Sequence, residues 1–69
     1  MKLSARNVIK GRVVSVTPGA VNVQVVIEIA PGVEVVSIIT KHSAESLGLA
    51  AGKEAYAVVK ASSVMIAVD

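Results

Sequence analysis

A chain of 69 residues with no cysteine has room for one domain, residues 1–69, and excludes disulfide staples and thiolate metal sites. Apolar residues make up 54% of it, yet Tyr56 is the sole aromatic residue, so much small and β-branched surface is left for another subunit to cover. The formal charge of +2 is too mild to argue for nucleic acid by itself, although it suits an anionic ligand where positive groups converge.

The first polar group along the chain is Ser4-Ala5-Arg6-Asn7, which sets a hydroxyl, a guanidinium and a carboxamide just before a long apolar run. It either caps the start of the first strand or grips a ligand. Residues 8–17 read as that strand, with Gly11 marking a bulge or a close backbone approach. Pro18-Gly19 predicts a tight turn, proline presetting φ and glycine supplying a positive φ. Val21, Val23, Val25, Ile27 and Ile29 then share one parity against Asn22, Gln24, Glu28 and Ala30. That period-two alternation predicts a strand with one buried face. Pro31-Gly32 repeats the turn device. The third strand, Val33 to Thr40, carries Val35 and Ile39 on one face and Val36 and Ile38 on the other, which predicts burial on both sides.

Ser43 can cap a short helix, with Glu45 favourably near its positive end, and Gly48 supplies the stop after Leu47. A loop over residues 49–53 leads into a fourth strand from Glu54 to Lys60. After a break at Ala61-Ser62-Ser63, Val64 to Val68 reads as a fifth. The predicted fold is therefore all-β: a five-stranded Greek-key barrel of the oligonucleotide/oligosaccharide-binding (OB) type, with one short helix between strands 3 and 4. Polar residues, proline or glycine break the apolar runs well short of the roughly 18 residues a spanning helix needs. The expected setting is cytoplasmic, with no membrane contact.

Catalysis is poorly supplied. His42 is the only histidine and Asp69 the only aspartate, so neither a nucleophile–base–orienter set nor a metal site has its ligands. His42 reads as an exposed residue before the helix. Lys10 and Arg12 share a strand face and could meet phosphate. Single-strand binders, however, stack bases on aromatic rings for roughly 1–3 kcal/mol each, and Tyr56 stands alone. An OB-type interaction module, binding nucleic acid weakly or serving as a structural oligomer, is the alternative reading.

What remains is a polar set at strand ends: Ser4, Arg6 and Asn7, then Thr40 and Ser43, then Lys60 and Ser62. It offers two fixed positive charges and several hydroxyl donors, and it contains no carboxylate. Such a set suits a tetrahedral dianion, which accepts hydrogen bonds and donates none.

The stretches "LSARNVIKGRVVSVTPGAVNVQVVIEIAPG", "SIIT" and "SAESLGLAAGKEAYAVVKASSVMI" resemble the molbindins, small molybdate-binding proteins of the Mop and TOBE type. The resemblance runs from Ser4 to Val68, and the "LGL-x-x-G-K" loop and the final "V-K-A-S-S-V-M-I" add specificity to "SARN". It implies a non-enzymatic protein for molybdenum storage and homeostasis, holding molybdate or tungstate as oxyanions with no organic cofactor. It further implies a homo-oligomer, a hexamer built as a trimer of dimers with ligand at the interfaces. The family's oxyanion-binding residues map onto Ser4, Arg6, Thr40, Ser43 and Lys60, with backbone N–H groups around Ala5, Asn7 and Ala61, and with Ser62 close enough to join them.

Overall fold

The computed structural model describes residues 1–69. Strand β1 spans Asn7–Pro18, β2 Asn22–Ala30 and β3 Val33–Thr40; helix α1 spans Lys41–Leu47 and strand β4 Glu54–Val59. A single 3-10 turn, Ala61–Ser63, follows. Alternation in β2 works as expected: Val23, Val25 and Ile27 turn into the core while Gln24 and Glu28 face solvent. Those three side chains, with Val13, Ala44 and Ala57, form the whole buried core.

The four strands make one antiparallel sheet in the order β3-β2-β1-β4. Strand β1 is shared between two partners. Its first half pairs with β4, from Asn7↔Val59 to Arg12↔Glu54, and its second half with β2, from Arg12↔Glu28 to Pro18↔Val23. The ladder slips one residue between Val13 and Ser15, a bulge that bends β1 where it changes partner. The loop before β4 docks on this bulge: the Val13 amide donates to the Lys53 carbonyl, and the Gly52 amide to the Val13 carbonyl, each at 2.8 Å.

Gly11 marks a close approach rather than the bulge. A Cβ there would lie 2.6 Å from both the Glu28 carbonyl oxygen and Cγ2 of Ile27. Of the two proline–glycine turns, only Gly32 takes a positive φ, 75°; Gly19 does not, and its amide instead donates to the Asn22 carbonyl at 2.7 Å.

The five-stranded barrel does not form. Val64–Val68 is a continuous apolar run that pairs with neither edge of the sheet, and Met65 and Ile66 remain 92% and 86% exposed. Pattern and β-branching favour a strand only where a ladder is available. The sheet therefore stays open, and β3 and β4 are both edges. Burial of β3 on both sides fails for the same reason: Val36 and Ile38 are 59% and 60% exposed. A largely apolar cleft of about 350 Å³ separates the edges, lined by Val35, Val36 and Ile38 on one side and Tyr56, Val58 and Val59 on the other.

Candidate functional site

Strand polarity decides where each candidate residue lies. Asn7 and Val59 close the β1–β4 ladder, so Ser4, Ala5 and Arg6 precede it at the same end at which Lys60, Ala61 and Ser62 leave it. Asn7 is the clamp: its Nδ2 donates to the Val59 carbonyl at 3.2 Å. That settles the structural side of "SARN", since the carboxamide joins two strands while Ser4 and Arg6 stay exposed just outside them. Lys60 leaves β4 in extended backbone and opens the 3-10 turn, with the Ser63 amide donating to its carbonyl at 2.8 Å. Neither Arg6 nor Lys60 has a carboxylate partner; the one ion pair of the chain is Lys10–Glu54 at 3.3 Å.

Thr40 and Ser43 sit at the join of β3 and α1. The helix is capped by Thr40 and not by Ser43: the Ser43 amide donates to Thr40 Oγ1 at 3.1 Å. His42 consequently lies inside the first turn and not before it. Thr40 Oγ1 also donates to Ser43 Oγ at 2.9 Å, which leaves the Ser43 hydroxyl proton free for an outside acceptor. The far end of α1 closes in a Schellman arrangement, Gly48 in the left-handed region at φ 61°, with Gly48 N donating to Glu45 O and Leu49 N to Ala44 O.

The two groups do not meet. Thr40 pairs with Asn22, beside the C-terminal end of β1, whereas Arg6 and Lys60 flank its N-terminal end. The twelve residues of β1 lie between them along the strand, in a molecule 34 Å in its longest dimension. Hydrogen bonds reach about 3 Å. No hydrogen bond within the chain joins the two groups. None of the nine candidate residues lines a cleft of the single chain, either.

Elsewhere, Lys10 and Arg12 are countered by Glu54 and Glu28, so the face expected to meet phosphate is of mixed sign. No three His, Cys, Asp or Glu side chains cluster as a metal site would require, and no helix is long and apolar enough to cross a membrane. One residue escaped the sequence reading. Lys53 Nζ donates to the Leu47 and Gly48 carbonyls at 2.8 and 3.2 Å, a bond foreshadowed only by a cation following soon after a helix-ending glycine.

Comparison with known proteins adds a consistent set of likenesses. The TOBE domain profile matches residues 3–66. "Molybdenum-pterin-binding protein 3" of Clostridium pasteurianum is 52% identical over 66 residues, covering 96% of this chain and 97% of that protein. Among solved structures, a molybdate binding protein from Sporomusa ovata superposes with a TM-score of 0.91 at 32% identity, covering 99% of this chain and all of that one. ModG, described as a cytoplasmic molybdate-binding protein and solved with molybdate bound, gives a TM-score of 0.83 at 43% identity, covering 88% of this chain and 43% of its own.

Proposed function

Since the chain belongs to the TOBE-domain family, in its molbindin (Mop-like) branch, we propose that it binds molybdate, without catalysing a reaction, for molybdenum storage and homeostasis in the cytoplasm. The observation that carries the reading is the pair of exposed cations, Arg6 and Lys60, at one end of the β1–β4 ladder with no carboxylate to neutralise them. A dianion removed from water must be paired and hydrogen-bonded on all sides. Arg6 and Lys60 supply charge, and Ser4, Ser43 and Ser62 supply hydroxyl donors. Thr40 orients Ser43 and spends its own proton doing so. Amides of Ala5, Asn7 and Ala61 complete the donor set.

Because the two groups lie at opposite ends of β1, each anion is surrounded by donors from more than one chain, in a homo-oligomer for which the family suggests a hexamer. Size then selects among tetrahedral dianions. A rigid cage set for the longer metal–oxygen bonds of molybdate or tungstate leaves sulfate short of its donors, and protonated phosphate brings an O–H where no carboxylate waits and a hydroxyl must give up donating in order to accept it. Parallel calorimetric titrations with molybdate, tungstate, sulfate and phosphate test this. Molybdate and tungstate are expected to bind well ahead of the other two; equal affinities for all four would sink the size argument, and no heat with molybdate would sink the function. Native mass spectrometry checks the assembly: molybdate adducts are expected on an oligomer, not on single chains.

A further inference from the structure

We infer that Lys53 is a positioning residue for the Thr40–Ser43 group: it fixes α1 on the sheet, and so sets where the Ser43 hydroxyl points, without touching the ligand. The inference rests on the molybdate reading above. A helix of seven residues cannot hold itself in place, since isolated helices shorter than about 12–15 residues are marginal in water. Packing contributes little more, because Ala44 is the only buried residue of α1 and Leu47 is exposed. The last turn carries no basic residue of its own to meet its free carbonyls.

Lys53 meets that need from outside the helix. Its ammonium donates to the Leu47 and Gly48 carbonyls, where a cation also opposes the negative end of the helix dipole. Its backbone is anchored in turn: the Lys53 amide donates to the Ala50 carbonyl at 3.1 Å, and its carbonyl accepts from Val13, the most buried residue of the chain. One residue thereby ties the loose end of α1 to the bulge of β1. The side-chain hydrogen bonds of Asn7 and Lys53 each reach a segment distant in sequence or outside their own, and each steadies an element that carries part of the donor set. Freed at this end, α1 would pivot about Thr40, and Ser43 would spend less time in the binding position. Apparent affinity falls in proportion to that lost fraction.

The test compares the full-length chain with Lys53→Met, which keeps the aliphatic stem, and Lys53→Arg, which keeps the donor. Molybdate titration and amide hydrogen exchange of the ligand-free protein are measured on all three. Lys53→Met is expected to weaken molybdate binding about fivefold, the factor carried by one net hydrogen bond. Exchange should accelerate across Ser46–Leu49 and stay unchanged in the β1–β2 ladder, and Lys53→Arg should restore both. Unchanged affinity in Lys53→Met, acceleration spread evenly over the sheet, or failure of Lys53→Arg to restore binding would each overturn the inference. A wild-type chain that takes no molybdate overturns the binding reading and this inference with it. That result is told apart because it appears before any substitution is made.

Discussion

The Thr40 hydroxyl accepts from the Ser43 amide and donates to Ser43 Oγ, so it is occupied inside the cap, whereas Ser43 keeps a proton to give. The two residues should therefore fail differently. Ser43→Ala is expected to weaken molybdate binding about tenfold, as loss of a hydrogen bond to a charged group does, with little change in melting temperature. Thr40→Val removes the helix cap, costing about 1 kcal/mol of stability as well as affinity, and thermal melts run beside titrations separate the pair. Arg6→Ala should weaken molybdate binding by about tenfold to a hundredfold through loss of charge-assisted bonds. The oligomer should persist at high protein concentration in that variant. Unchanged affinity would remove Arg6 from the site. At this scale the sequence was legible wherever a side chain acts on its own neighbours. It showed the charge and donors of "SARN", but not that Asn7 clamps β4 52 residues away, because nothing local marks that partner.

Between elements, the close contact at Gly11 has a sharp consequence. Gly11→Ala drives a methyl group into the backbone carbonyl of Glu28, which cannot swing aside as a side-chain tip can. The β1–β2 crossing must then part, at a cost on the order of 1–3 kcal/mol or more. Chemical denaturation should show the loss, and a variant as stable as the parent would contradict the geometry. Four strands, the helix and its Gly48 stop could be read from period, turn residues and caps, because those signals are local. The last strand could not. Val64–Val68 is apolar and partly β-branched as a strand is, but whether such a run joins an edge is decided by the whole chain and not by the segment. Likewise the apolar outer face of β3 says that something covers Val36 and Ile38 but not whether it is the same chain.

Taken whole, the molecule buries only six of its 69 side chains, two of them alanines, so a solitary chain has too small a core to be more than marginally stable. Val36, Ile38, Val58 and the segment Val64–Val68 are the apolar surface that association would cover. Stability should accordingly rise with protein concentration, and sedimentation on dilution should show dissociation and unfolding together; a monomer that stays folded would contradict this. A ligand held between chains adds to the effect, by about 2.7 kcal/mol when its concentration is a hundredfold above Kd. Tyr56 gives these events a reporter. It is the only ring in a chain without tryptophan or phenylalanine, and it stands half exposed on the β4 side of the cleft between the two open edges. All ultraviolet emission of the protein thus originates from one known point, and its shielding from a dissolved quencher would follow closure of that cleft in real time with no label attached.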